Sequence, residues 1–169
     1  NMFNKKLAII GASGAVGRVF IELLDEMYPG TKDLFLVASK RSAGKSMICG
    51  EEEFIIQDIE DFDFSQADIA FFSAGAETAE KYAPIAVSQG CTVIDNSSQF
   101  RTDSDKPLIV PEVNSRDLKD FKLPGIIANP NCSTAQLVVA LKPIHELFKI
   151  ERVDAVSYTH LRAHETSLH

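Results

Sequence analysis

The feature that most constrains the fold is a loop of three glycines set between an apolar strand and an amphipathic helix. Leu7 to Ile10 is a short apolar run, and Gly11-Ala12-Ser13-Gly14-Ala15-Val16-Gly17 follows at G-x-x-G-x-x-G spacing. From Gly14 to Met27, a helical stripe places Val16, Phe20, Leu23, Leu24 and Met27 on one face. Pro29-Gly30 stops that helix. In such a loop, Gly11 permits the tight turn off the strand and Gly14 lets backbone approach a pyrophosphate. Gly17 lets the helix lie close to the sheet. A glycine triplet alone also fits a plain tight turn. The strand-loop-helix context favours a dinucleotide whose phosphates face the N–H groups and positive dipole end of the helix.

The chain continues in the same rhythm. Leu34 to Ala38 reads as a second strand, Phe54 to Ile59 as a third and Ala67 to Phe72 as a fourth. The last is rich in apolar residues, which suits a central parallel strand covered on both faces. Thr78 to Gln89 reads as a helix that kinks at Pro84 and stops at Gly90. Thr92 to Ile94 is a fifth strand, with shorter extended pieces at Leu108 to Val110 and Gly125 to Ala128. Ser133 to Phe148 is helical and bends near Pro143, and a last strand starts at Val153 to Ser157. This alternation predicts an α/β, Rossmann-type, doubly wound and mostly parallel sheet, with its functional loops on one edge.

Charge and cysteine content narrow the function classes. The net charge of −7 speaks against nucleic acid or an anionic membrane as main partner. No apolar run nears the ~20 residues of a bilayer span, and no secretory signal is expected. Three scattered cysteines, Cys49, Cys91 and Cys132, read as reduced thiols of a cytoplasmic protein and not as a disulfide frame or zinc site. No metal site is expected.

Two segments point to chemistry. Dinucleotide-binding domains that prefer NAD place an acid about 20 residues beyond the glycines, on the ribose hydroxyl. Here that place reads Ser39-Lys40-Arg41-Ser42. A cation and a hydroxyl at this point suit a 2′-phosphate, so NADP is expected; a solvated basic turn is the plainer alternative. The second segment is Asn129-Pro130-Asn131-Cys132-Ser133-Thr134, which opens an apolar helix. A helix N-terminus favours the thiolate, and its N–H groups can hold an oxyanion. Position alone leaves Cys132 open between a nucleophile and a buried structural cysteine. Cys49, in a loop beside a glycine, and Cys91, entering a core strand, are read as structural.

Taken together, the motifs resemble the bacterial-type aspartate-semialdehyde dehydrogenases. The matching segments are GASGAVG at 11–17, ASKRSAGK at 38–45, FFSAG at 71–75, DNSSQFR at 95–101, VPEVN at 110–114 and NPNCSTAQ at 129–136. The resemblance spans about residues 5 to 157. It implies that Cys132 attacks the acyl carbon of L-aspartyl 4-phosphate, expels phosphate, and forms a thioester that NADPH reduces to aspartate semialdehyde. It implies a cofactor set of Gly11, Ser13, Gly14, Ala15 and Val16 at the pyrophosphate and Arg41 and Ser42 at the 2′-phosphate. Ser73, Ala74 and Gly75 would lie on the nicotinamide side. Arg101 would bind the substrate phosphate, for which a planar, permanently charged fork is suited, and Asn131 would place the acyl group. A surface ion pair of Arg101 with Asp103 or Asp105 is the plainer alternative.

The resemblance also implies a cytoplasmic biosynthetic enzyme on the route to lysine, threonine, methionine and diaminopimelate, with a homodimeric or homotetrameric parent. The family carries a second, α+β domain for dimerisation and catalysis, which the reading expects to be missing here. Residues 1–157 are then one NADP-binding domain with the catalytic cysteine, inactive by itself. Residues 158–169 form a non-family tail that resembles vector-derived sequence. His160 and His164, four apart in that tail, lack a third ligand for metal. Two other readings stay open: a stand-alone NADP-binding or redox-sensing module, and a related acyl-phosphate reductase.

Overall fold

The computed structural model describes residues 5–156. The tail 158–169, with His160, His164 and His169, and the end of the strand expected at Val153 to Ser157, lie outside them. The chain divides between Asn131 and Cys132 into two compact units.

The first unit is built on six parallel strands. These are β1 (Leu7–Ile10), β2 (Leu34–Ala38), β5 (Gln57–Asp58), β6 (Ile69–Phe72), β7 (Thr92–Asp95) and β8 (Ile126–Ala128). They lie in the order β5-β2-β1-β6-β7-β8. This is the doubly wound order, in which the chain leaves β1 in opposite directions and opens a crevice at the carboxyl ends of the central strands. β1 pairs with β2 from Leu7↔Leu34 to Ile10↔Val37, and with β6 from Leu7↔Ile69 to Ile10↔Phe72. Side chains alternate between two cores as the pleat requires. Leu7 and Ile9 join Leu34, Leu36, Ile21 and Leu24 on one face. Ala8 and Ile10 join Val37, Ala70, Phe72 and Val93 on the other.

Helix α1 (Ala15–Met27) covers the first face and α2 (Ala76–Ser88) the second. The expected stripe on α1 is corrected. The residues it buries are Gly17, Ile21 and Leu24, while Val16, Leu23 and Met27 are about half exposed or more. The cause lies in Gly17. A Cβ there would run into the Gly11 carbonyl oxygen and stand 2.9 Å from Ala12 Cα. This close approach fixes the rotation of α1 and overrides its apolar pattern. Phe20, half-buried, stacks on Phe71 with centroids 4.2 Å apart. α2 lays Ala79, Ala83 and Ala86 on the sheet and runs through Pro84; Gly90, at φ 92°, follows its end.

The region between β2 and β6 differs from expectation. β3 (Ser46–Cys49) and β4 (Glu52–Ile55) form an antiparallel hairpin around Gly50-Glu51, in a sheet of their own. The strand expected over Phe54 to Ile59 is therefore two pieces. Phe54 and Ile55 close the hairpin, and Gln57-Asp58 joins the main sheet beside β2. Cys49 ends β3 and is buried, so its expected place in a loop is also corrected. Leu108 to Val110 contributes one bridge to Ala128. Pro111–Asn114 forms a short helix, α3, that the sequence reading did not foresee.

In the second unit, α4 (Cys132–Phe148) runs through Pro143 and buries none of its residues within its own unit. Residues 151–156 form no strand.

Candidate functional site

The turn after β1 is tied to its neighbours by backbone. Gly11 N–H donates to Val37 O at 2.8 Å, and Gly14 N–H donates to Gly11 O at 2.9 Å. Gly11 has φ 87°, and a Cβ there would stand 2.5 Å from Ser73 O. Only glycine satisfies both the turn and the contact. Gly14 is the N-cap of α1, and no side chain caps that helix. The first N–H groups of any helix lack an intrahelical partner and offer themselves to an anion. Gly14, Ala15 and Val16 are exposed at this point.

Two further loops reach the same edge. After β2, Ser42 N–H donates to Ser39 O at 2.8 Å, which folds residues 39–42 into a turn. The turn buries Ser42 and leaves Lys40 and Arg41 exposed. Ser13 Oγ meets Ser42 Oγ at 3.1 Å, so the glycine loop and the basic turn touch. After β6, Ser73 N–H donates to Ile10 O at 2.8 Å. Ala74 and Gly75 are exposed, and Gly75, at φ 87°, caps α2. Gly11, Ser13, Gly14, Ser73 and Ala74 share the lining of a cleft of about 310 Å³, whose other walls include Ser39 and Thr78. Nothing in the sequence pattern marks Ser39 or Thr78 as lining residues.

A second cluster sits at the carboxyl ends of β7 and β8. Arg101 Nε donates to Asn129 O at 2.9 Å and its Nη2 donates to Asn96 O at 3.0 Å. The expected alternative, an ion pair with Asp103 or Asp105, is not what the structure has; Asp103 pairs with Lys106 at 3.5 Å. Neutral carbonyls thus take two of the five guanidinium donors and, among the described residues, no carboxylate pairs with Arg101. Asn129 Nδ2 donates to Asn96 Oδ1 at 2.7 Å. Asp95, fully buried, accepts from Ser97 N–H at 3.0 Å and from Ser97 Oγ–H at 2.7 Å. Asn131 is exposed at the end of this unit. Asp95, Asn96 and Asn129 fall within the segments DNSSQFR and NPNCSTAQ, but the sequence assigned none of them a role. Their signal was present in two polar runs, each directly after a strand-like segment.

In the second unit, Cys132 is the first residue of α4 and is exposed. The other two thiols are buried. Burial, with Asp68 adding to it, pushes the Cys91 thiol up to about 12. Burial and then Asp25 push Cys49 up as well. Among the described residues no helix is long and apolar enough to cross a membrane, and no three side chains gather as a metal site.

Comparison with known proteins follows the same lines. Residues 6–121 match the family described as semialdehyde dehydrogenase, NAD binding domain. An aspartate-semialdehyde dehydrogenase of Shewanella violacea is 52% identical over 152 residues, 90% of this chain and 45% of that protein. The crystal structure of aspartate semialdehyde dehydrogenase II from Vibrio cholerae, complexed with ASA, superposes with a TM-score of 0.84. It is 50% identical and covers 89% of this chain and 49% of its own. The Candida albicans enzyme with NADP gives a TM-score of 0.70 at 32% identity, over 86% of this chain and 48% of its own. The chain thus spans about half the length of the relatives it matches. It belongs to the semialdehyde dehydrogenase family, in which it carries the NAD-binding domain.

Proposed function

We propose that the chain is the cofactor-binding and nucleophile-bearing part of an NADP-dependent aspartate-semialdehyde dehydrogenase. The observation that carries this reading is the meeting of Ser13 with Ser42 beside the cleft, with Arg41 exposed on the same turn. It joins a pyrophosphate cradle to a cationic turn without the acid that an NAD ribose requires. The cradle fits a dinucleotide: it is lined by glycine backbone, and an uncapped helix N-terminus opens there.

Cys132 then acts as the nucleophile. Its thiolate forms a bond to the acyl carbon of aspartyl phosphate, and the carbon–oxygen bond to phosphate breaks, phosphate leaving with the electron pair. Arg101 receives the substrate phosphate on its unused N–H donors, and Asn131 orients the acyl group. A dinucleotide held by Gly11, Ser13 and Gly14 would supply the hydride that reduces the thioester, and Cys132 would leave the reduced carbon as thiolate, releasing the aldehyde. The reaction stands in the cytoplasm on the route to lysine, threonine, methionine and diaminopimelate.

The test is ligand-dependent melting of this chain. NADP raises the melting temperature more than NAD at equal concentration, and Arg41→Ala brings the two shifts together. Equal shifts in the wild type would sink the assignment of Arg41. Reaction with a small alkylating agent near neutral pH gives an independent check. Cys132 reacts about a hundredfold faster than Cys91, whose burial disfavours the thiolate; comparable rates would remove Cys132 from its role.

A further inference from the structure

The proposed chemistry uses Arg101 and Asn131 but leaves unexplained how two loops from different strands keep them in place. We infer that Asn96 is a positioning residue that holds the Arg101 guanidinium and the segment 129–131 in one geometry. The inference deepens the reading of function above, since both held groups are substrate contacts there.

β7 and β8 are parallel neighbours, with Asp95 opposite Ala128. One step further, Asn129 N–H donates to Asp95 O at 2.8 Å, so the ladder continues past the last paired residues. There the two strands part, and each departing loop needs new partners for its polar groups. On the β7 side, Asp95 takes Ser97 N–H and Oγ–H, and Ser97 Oγ takes Gln99 N–H at 3.1 Å. These bonds fold the loop 95–101 back on itself and bring Arg101 around.

Asn96 is the residue that both halves share. Its main-chain carbonyl accepts from Arg101 Nη2, and its side-chain carbonyl accepts from Asn129 Nδ2. Asn129 in turn gives its main-chain carbonyl to Arg101 Nε. The three residues thus form a closed triangle: Asn96 to Asn129, Asn129 to Arg101, Arg101 to Asn96. Each edge lies between 2.7 and 3.0 Å. A guanidinium held at Nε and one Nη2 hydrogen is fixed in its plane, which leaves the end-on pair of Nη1 and Nη2 hydrogens for a ligand. No carboxyl group takes part in the triangle, so its charge stays available for an anion.

The edge between side chains can be cut without touching Arg101. Asn96→Leu removes the acceptor at similar volume; Asn96→Asp keeps an acceptor oxygen for Asn129 Nδ2. Asn129→Leu removes the donor and leaves the main-chain carbonyl that Arg101 uses. The experiment measures exchange of the Arg101 Nε–H by NMR and deuterium uptake of a peptide spanning 126–131. In Asn96→Leu and Asn129→Leu both exchange about tenfold faster than in the wild type, and Asn96→Asp restores wild-type protection. A role in packing alone would give the reverse: Leu tolerated, Asp not.

The inference is overturned if Asn96→Leu and Asn129→Leu leave both rates within twofold of wild type, or if Asn96→Asp exchanges as fast as Asn96→Leu. Should Asn96→Leu not fold, Asn129→Leu decides. Dinucleotide-dependent melting of each variant separates the two proposals. A chain that binds no dinucleotide yet shows the exchange pattern refutes the function and supports the clamp. A chain that binds NADP normally with unchanged exchange refutes the clamp alone.

Discussion

The two clusters at the carboxyl edge of the sheet are built on opposite principles. The glycine loop gets its shape from missing side chains: Gly11 lies against Ser73 O, and Gly17 against Gly11 and Ala12. The β7–β8 edge gets its shape from side chains that are present: Asp95, Asn96, Ser97, Arg101 and Asn129 bond in a connected set. The first is steric and tolerates no added atom. The second is a set of hydrogen bonds, each of which contributes modestly by itself. A ligand-binding loop made of bare backbone can let phosphates come close. A loop that must aim a charged group needs partners with direction.

The sharpest way to break this comparison is to add one carbon to the steric side. Gly17→Ala should destabilise the chain by about 3 kcal/mol in urea unfolding, since its Cβ meets rigid backbone on two sides. A cost below about 1 kcal/mol would mean that α1 shifts freely and that the loop is not defined by close approach. On the other side, Asp95→Ala should cost about 2 kcal/mol by leaving the buried Ser97 N–H without its acceptor. Dinucleotide-dependent melting should be retained, because the cradle shares no bond with Asp95. Loss of the dinucleotide response in Asp95→Ala would show that the two clusters are one.

A last check, expressed only at alkaline pH, comes from the other end of β7. Cys91 is fully buried and its thiol is pushed up to about 12. The folded value lies above that of an unfolded thiol, so this contribution is fully present below about pH 9. It is lost as pH rises toward 12. Stability of the wild type should therefore fall in that window, and Cys91→Ala should flatten the fall. An unchanged profile in Cys91→Ala would exclude the thiol as its source.

How much of this was legible in the sequence depended on how far each signal reaches. The strands β1, β2, β6 and β7 are apolar runs between turn formers, and they lie where the pattern put them, within a residue or two. The hairpin was not legible as a hairpin. Phe54, Ile55 and Ile56 read as one strand-forming run, yet Ile55 pairs antiparallel with Ser46 while Gln57 pairs parallel with Val37. Only Ile56 separates the two, and its N–H bonds to Lys45 O. The Gly50-Glu51 turn was the available clue. The rotation of α1 was legible in Gly17, whose close approach the motif implies, but the stripe drawn from hydropathy alone pointed to another face. The glycine loop, the basic turn and Arg101 could be named from motif and resemblance. The triangle through Asn96 could not, because it joins residues 33 apart in sequence through side-chain amides that look like ordinary loop polarity.

The parallel sheet has a consequence for how the chain acquires its site. Among the described residues, β3 and β4 are the strands that pair through a short turn. The others meet across crossovers, with Leu7 waiting for both Leu34 and Ile69. Contacts so distant in sequence form slowly. The cradle beside β1 therefore comes into being only after β2 and β6 have both docked. Until then the glycine loop has neither Val37 O to hold it nor Ser73 to lie against. On the ribosome the frame of the cradle is incomplete before residue 73 has emerged, so a dinucleotide can act only on a sheet in which β1, β2 and β6 have already paired.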